Sequence, residues 1–192
     1  MNKRIVPSRF SLALRFLVVG VLLAATSAHS SAQSQDRDDP SLDSVRNFHR
    51  ISESLLTSGQ IYPAQIPSLQ AEGVDFVVNL AIADPERNAE EPYAMMSAGM
   101  NYVNIPVDFQ QPSQEDLELF FAVMDARGDR KTLVHCFANF RASAFTFLYR
   151  VLREGVPEDE ARADLLAVWD EETFEKNPAW VKFIDDTLAA QR

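Results

Sequence analysis

The segment around the single cysteine of the chain combines a nucleophile with a permanently charged side chain. It reads His135-Cys136-Phe137-Ala138-Asn139-Phe140-Arg141-Ala142-Ser143. A cysteine thiolate is a strong nucleophile, and the planar guanidinium of Arg141 presents a donor fork that suits two oxygens of a phosphate group. These residue types at this spacing predict nucleophilic attack on an oxyanion.

The sequence on both sides of this segment favours the same chemistry. The run 131–135 predicts a β-strand that ends at the cysteine, and Phe145, Leu148 and Leu152 mark one face of a following helix. The cysteine then lies near a helix N-terminus, where free N–H groups and the helix dipole favour an anion and the thiolate. A buried core cysteine and a surface arginine are the plainer alternatives, which this context disfavours.

The segment resembles the signature loop of the tyrosine and dual-specificity phosphatases. That loop has a His-Cys pair, five further residues, an arginine, and a serine or threonine. His135, Cys136 and Ser143 match these positions, whereas Arg141 comes one residue early and Ala142 occupies the usual arginine position. The spacing is therefore C-x4-R, which changes either the ring of loop amides or the angle of the guanidinium.

The resemblance extends upstream of the loop. Segments 56–60, 73–80 and 102–107 are similar to those of small bacterial dual-specificity-like phosphatases, and the similarity covers residues 45–150. Asn139 replaces the usual loop glycine, a mild change because asparagine tolerates left-handed backbone. The resemblance implies a phosphatase that acts through a phosphocysteine on Cys136, with phosphate bound by Arg141.

The resemblance also implies roles for further residues. In such enzymes an aspartate on an upstream loop protonates the leaving oxygen and later activates water. Asp108 is the best candidate, with a solvated or capping carboxylate as the alternative, and Asp84 is a weaker one. We expect His135 to support the loop by bonding to its backbone, and Ser143 either to assist thiolate departure or to bond to backbone. The expected phosphate-binding residues are Phe137, Ala138, Asn139, Phe140, Arg141 and Ser143.

Strand and helix patterns alternate along the chain. Strands are expected at 48–52, 55–61, 75–81, 101–107 and 131–135, and helices at 63–70, 88–98, from Ser113, after the cysteine loop, from Pro157 and around 180–188. This alternation predicts an α/β fold, a single domain with a largely parallel central sheet flanked by helices. Ligands bind beyond the carboxyl ends of parallel strands, so Cys136 and Asp108 are expected on the binding side.

The N-terminus predicts export. Residues 1–32 carry four basic residues, then the apolar run 16–25 and the small residues Ser30-Ser31-Ala32, which is typical of a signal peptide. An uncleaved anchor is the alternative, although the apolar run is short for a membrane span. We expect a flexible leader at 33–44, a phosphatase-like domain at 45–192, and a periplasmic or secreted protein.

Composition limits the partners. The formal net charge of -10 argues against nucleic acid and anionic membranes, and a local positive site is needed to bind an anionic substrate. The expected substrate is a phosphorylated protein or a small phosphate ester. Only His49 and His135 lie beyond residue 32, and neither has a second ligand at helical spacing, so we expect no metal or other cofactor.

Two further functions stay open. The displaced arginine could leave a catalytically weak or inactive module that binds phosphate or phosphoprotein. A sulfurtransferase that resembles the rhodaneses is the third candidate, because their cysteine loop is also one residue shorter than the phosphatase loop. The His-Cys pair, Asp108 and the upstream segments favour the phosphatase.

Overall fold

A five-stranded sheet lies at the centre of the fold. The structure, a computed structural model, describes residues 37–190. The strands are β1 (His49–Arg50), β2 (Leu55–Ser58), β3 (Phe76–Asn79), β4 (Asn101–Asn104) and β5 (Thr132–His135). Their spatial order is β1-β2-β5-β3-β4, with β1 antiparallel to β2 and every other pair parallel.

Seven α-helices of the described range flank this sheet. They are α1 (Ile66–Ala71), α2 (Glu91–Ser97), α3 (Gln114–Ala126), α4 (Phe140–Leu152), α5 (Glu158–Trp169), α6 (Glu171–Glu175) and α7 (Pro178–Ala190). The predicted α/β class with a mostly parallel central sheet is confirmed. The short helix α6 was not predicted, and Pro157 caps α5 instead of forming part of its first turn.

Apolar side chains pack on both faces of the sheet, as expected for buried parallel strands. Val78 of β3 and Val134 of β5 belong to a cluster that contains residues of α3, α4, α5 and α7. Their neighbours Val77 and Leu133 belong to a second cluster, which contains Leu69 of α1 and Met95 of α2. The alternation along each strand therefore assigns successive residues to opposite layers.

Residues close together in the sequence explain where α3 begins and which of its faces is buried. The hydroxyl of Ser113 accepts a hydrogen bond from the backbone N–H of Asp116, which caps α3. The apolar side chains that recur at helical spacing along α3 are buried, and they are Leu117, Phe120, Phe121 and Met124.

The ordered structure begins before the domain boundary predicted at residue 45. Leu42 is buried, and the backbone carbonyls of Asp39 and Pro40 accept hydrogen bonds from Gln65 and Ser68. The predicted signal peptide at 1–32 and the first part of the leader lie outside the described residues. Between residues 37 and 190, no helix is both long and apolar enough to cross a membrane.

Candidate active site

Cys136 follows the central strand of the sheet. β5 lies between β2 and β3, and the hydrogen-bonded register continues past its end. The carbonyl of His135 accepts from the N–H of Leu80, and the N–H of Cys136 donates to the carbonyl of Ser58. Cys136 is 1% exposed and packs at the edge of an apolar cluster, so its burial alone would also suit a core cysteine.

Four consecutive carbonyl groups, from Phe137 in the loop after β5 to Phe140 at the start of α4, are all hydrogen-bonded to protein groups. Phe137 O accepts from the N–H of Gln60, Ala138 O from the side chain of Asn47, Asn139 O from the hydroxyl of Ser143, and Phe140 O from the indole of Trp169. The C=O and the N–H of a trans peptide point in opposite directions. The amide groups of this loop are therefore directed away from these partners.

Most amides of the loop have no acceptor. Within residues 37–190, the N–H groups of 137, 138 and 140–142 donate to no backbone or side-chain oxygen, whereas the backbone at Ala138 forms an isolated antiparallel bridge with Gly59. Unpaired N–H groups at the start of a helix are the usual way in which proteins bind an anion. This ring of amides, directly after Cys136, distinguishes the cysteine from an ordinary core cysteine.

Asn139 has the left-handed backbone conformation that asparagine tolerates better than most residues. Asn139 has φ 67° and ψ -7°. Its side-chain amide donates to Asn47 O at 2.6 Å and to Thr57 Oγ1 at 2.9 Å, which ties the loop to the chain before β1 and to β2. Gly59 packs so closely beneath the loop that a Cβ atom there would lie 3.2 Å from Phe137 O.

Arg141 is buried in the first turn of α4 and is not a surface residue. It is 5% exposed, and its Nη1 donates to the carbonyl of Val107 at 2.9 Å. Its Nε is buried and has no acceptor among the described residues, and no acceptor there contacts Nη2. One edge of the guanidinium is thus held by protein, and the Nε–Nη2 edge can bind two oxygens of an anion.

Asp108 follows Val107 on a loop that is held from both sides. The Val107 N–H donates to Leu80 O, its carbonyl accepts from Arg141, and the carbonyl of Phe109 accepts from the indole of Trp180 at 2.9 Å. Asp108 itself is exposed, and its Oδ1 accepts from the N–H of Gln110. Oδ2 forms no hydrogen bond within the described range.

Asp84, the weaker acid candidate, stabilises its own loop instead. Its Oδ1 accepts from the backbone N–H groups of Glu86 and Arg87, and its Oδ2 lies 3.5 Å from the side chain of Arg87. Both carboxylate oxygens of Asp84 are therefore engaged within this loop, whereas Oδ2 of Asp108 is not hydrogen-bonded within the described range.

The two expectations for Ser143 are resolved by its contacts. The hydroxyl lies 2.8 Å from Asn139 O, to which it donates, and it accepts from the indole N–H of Trp169 at 3.1 Å. These contacts belong to backbone bonding in the first helical turn and not to the cysteine sulfur. Ser143 therefore supports the shape of the loop.

His135 supports the site through a different partner from the predicted one. Its Nε2 lies 2.6 Å from Oε1 of Glu91, an ion-pair distance at which ring and carboxylate are not aligned for a hydrogen bond. Both side chains are buried, and Glu91 Oε2 accepts from Gln60. The prediction that His135 bonds to loop backbone was wrong, because α2 brings a carboxylate to the ring.

A tyrosine completes this buried polar group. Burial, and then the negative charge of Glu91, raise the pKa of Tyr102, so its phenol stays neutral. The phenol oxygen accepts from the side-chain amide of Asn79 at 2.7 Å. Contacts or charge thus group five polar side chains next to the cysteine strand: Gln60, Asn79, Glu91, Tyr102 and His135.

Residues near the C-terminus also contact the site, which the sequence did not indicate. The tryptophans of α5 and α7 are buried core residues, and their indole N–H groups reach the two loops described above. Trp169 binds the cysteine loop at Phe140 O, and Trp180 binds the Asp108 loop at Phe109 O. Phe109 also stacks on Trp169, with ring centroids 6.2 Å apart. These contacts connect the two loops.

No family model matches the chain. Among solved structures, the "Putative phosphatase (DUF442)" of Shewanella putrefaciens CN-32 is 35% identical, with a TM-score of 0.68 over 77% of this chain and 92% of that chain. TpbA of P. aeruginosa, solved in complex with pTyr, is 20% identical with a TM-score of 0.60, over 80% of this chain and 92% of that one. This second likeness concerns the fold alone.

A protein relative gives a shorter match. The beta-lactamase hydrolase-like protein of Agrobacterium fabrum is 35% identical over 98 residues. The match covers 48% of this chain, and the chain spans only 22% of the length of that protein.

The fold is that of the cysteine-dependent tyrosine and dual-specificity phosphatases, which confirms the resemblance seen in the sequence. Within this class, the chain belongs to the DUF442 family of phosphatase-like proteins.

Proposed function

We propose that the chain is an exported cysteine-dependent phosphatase that hydrolyses phosphate monoesters. One observation carries the proposal: the unpaired amides of residues 137, 138 and 140–142 and the free Nε–Nη2 edge of Arg141 follow directly on Cys136. This arrangement supplies hydrogen-bond donors for the three non-bridging oxygens of a phosphoryl group, and charge on those oxygens is what the reaction must stabilise.

The reaction proceeds in two steps. The Cys136 thiolate attacks phosphorus, the bond between phosphorus and the leaving oxygen breaks, and Asp108 donates its proton to that oxygen. Water then attacks the phosphocysteine, Asp108 accepts a proton from the water, and the P–S bond breaks to release phosphate and the thiolate. Arg141 and the loop amides hold the oxygens throughout.

The contacts of Val107 support the assignment of Asp108. Its carbonyl accepts from Arg141, so the loop that carries the acid is attached to the side chain that holds the phosphate. A phosphorylated substrate also agrees with the pTyr complex of TpbA, a protein of the same fold. The natural ester and export through the predicted signal peptide at 1–32 are part of this proposal.

The test is turnover of 4-nitrophenyl phosphate by the purified chain that begins after residue 32. Cys136→Ser and Arg141→Ala should abolish phosphate release, and Asp108→Asn should reduce it by about 10²-fold or more. A parallel assay of sulfur transfer from thiosulfate to cyanide addresses the third candidate. Sulfur transfer without phosphate release would refute the phosphatase, and binding of inorganic phosphate without turnover would favour the inactive module.

Export is tested separately. A fusion of the full chain to alkaline phosphatase should be active and should fractionate with periplasmic or culture-medium proteins. Removal of residues 1–32 should retain the fusion in the cytoplasm; a fusion that is exported without them contradicts the assignment of the signal peptide.

A further inference from the structure

The aromatic ring beside the nucleophile contacts two guanidinium groups. Phe137 directly follows Cys136 and is partly exposed. The guanidinium carbon of Arg141 lies 5.2 Å from the centroid of its ring, and that of Arg87 lies 4.8 Å from the same centroid. Both distances are within the range of a cation–π contact. Arg87 is therefore a second cationic side chain at the entrance to the phosphate loop.

The loop after β3 holds Arg87 in this place. The Asp84 carboxylate accepts from the N–H of Arg87 at 3.1 Å, and the N–H of Asp84 donates to the buried side chain of Asn88 at 2.8 Å. Asn88 in turn donates to Ile82 O at 3.0 Å. Since β3 is the parallel neighbour of β5, this braced turn lies at the same edge of the sheet as Cys136.

The guanidinium of Arg87 forms a long ion pair with Asp84, but its N–H groups can still donate to a ligand. Its side chain is 52% exposed and donates no hydrogen bond to any residue between 37 and 190. The nearest carboxylate oxygen, on Asp84, is 3.5 Å from Nε. By contrast, the guanidinium groups of Arg50, Arg127, Arg150 and Arg162 all donate to carboxylates.

We infer that Arg87 binds a second anionic group of the substrate, next to the phosphate that is bound by Arg141. The inference rests on the proposed phosphatase function, and it names the substrate class: phosphate monoesters with a carboxylate or a second phosphate close to the ester that is cleaved. Such a substrate needs more than one cation, because the chain has a formal net charge of -10. Arg87 is thus a specificity-determining residue.

The test uses three aryl esters that differ only in the second group: phenyl phosphate, 3-carboxyphenyl phosphate and benzene-1,3-diyl bisphosphate. Their dissociation constants are measured by calorimetry on Cys136→Ser, with and without Arg87→Gln. We expect Arg87→Gln to weaken binding of the ester that carries the recognised second anion by about tenfold, and binding of phenyl phosphate by less than twofold. The ester with the larger loss distinguishes a carboxylate from a second phosphate.

Arg153→Gln is the matched control. Arg153 is also exposed and stacks on a phenylalanine, 5.2 Å from the Phe121 ring, but it follows the far end of α4, roughly 20 Å from the loop. This change should leave all three constants unaltered. An equal loss for the three esters on Arg87→Gln, or no loss for any of them, would overturn the inference.

The experiments distinguish failure of the Arg87 inference from failure of the proposed phosphatase function. Binding to Cys136→Ser needs no turnover, so the effect of Arg87→Gln is measured even when the chain hydrolyses none of the esters. Hydrolysis of phenyl phosphate by the unmodified chain, without any selective loss on Arg87→Gln, contradicts the inference alone.

Discussion

Arg141 donates a hydrogen bond to the carbonyl of Val107, the residue immediately before Asp108. The side chain proposed to hold the phosphate and the loop proposed to supply the proton are thus joined by a direct contact. A substitution at Arg141 should therefore disturb the Asp108 loop, and a change in that loop should disturb Arg141. A loop that only binds an anion needs no such contact.

Arg141→Lys should remove most of the activity although it conserves the charge. Lysine has no planar fork, so it cannot donate to Val107 O and also hold two phosphate oxygens. We expect kcat/KM for 4-nitrophenyl phosphate to fall by about 10²-fold. Arg153→Lys is the control and should have no effect. Activity of Arg141→Lys within a factor of three of the unmodified chain would contradict the role of the fork.

Trp180→Phe should affect proton donation more than phosphate binding. The change keeps an aromatic ring but removes the N–H that donates to Phe109 O, next to Asp108. The general acid matters most for a poor leaving group. Turnover of phenyl phosphate should therefore fall more than turnover of 4-nitrophenyl phosphate, and the stability should fall by about 1 kcal/mol.

Trp169→Phe serves as the comparison for Trp180→Phe. Its indole N–H donates to Phe140 O, and its contact with the acid loop is only the stacking on Phe109, which a phenylalanine ring can keep. We expect equal losses on the two esters, as measured by steady-state kinetics. The same leaving-group dependence in both variants would show that the indole of Trp180 does not position Asp108.

The backbone conformation and the side-chain hydrogen bonds of Asn139 contribute separately to the stability of the fold, and two variants distinguish them. Asn139→Gly suits φ 67° but loses the hydrogen bonds to Asn47 O and Thr57 Oγ1, which should cost about 1–2 kcal/mol. Asn139→Ala loses the same bonds and also adopts a strained left-handed backbone, at a further cost of about 1 kcal/mol. Urea unfolding should rank the alanine variant below the glycine variant; the reverse order would refute the strain argument.

Glu91→Ala should be the most destabilising of these changes. It removes the oxygen that accepts from the buried side chain of Gln60 and the carboxylate that lies against the buried ring of His135, and each buried polar group left without its partner costs about 1–3 kcal/mol. Glu91→Gln retains an oxygen for Gln60 and should cost less. Asp186→Asn, at an exposed pair with Lys182, should change the free energy of unfolding by under about 0.5 kcal/mol. Comparable losses for Glu91→Ala and Asp186→Asn would mean that the buried pair contributes little.

Features encoded by neighbouring residues could be predicted from the sequence. Ser113 and Asp116 cap α3 as their spacing indicates, and Asn139 has the left-handed backbone that its side chain tolerates. The parallel sheet follows from the alternation of strands and helices. In each case the signal is carried by residues close together in the sequence, even where the contacts that complete the structure, such as those of Asn139 with Asn47 and Thr57, are distant.

Contacts between distant segments could not be predicted in this way. Glu91 meets His135 because α2 packs against the sheet, and Trp180 reaches Phe109 because α7 packs beside the acid loop. No local pattern encodes such pairs, since they depend on how helices pack. Arg87 was missed for the same reason: its contact with Phe137 exists only once β3 and β5 are neighbours.

The position of β5 has a consequence for the order of folding. It is the last strand in the chain, yet it lies between β2 and β3, so the first four strands cannot form a continuous sheet before it arrives. Such non-local pairing slows folding, and the thiol should stay accessible until β5 has inserted. Pulsed alkylation of Cys136 during refolding should lose its signal together with the formation of the sheet; protection of the thiol well before that stage would show that the loop is buried by another route.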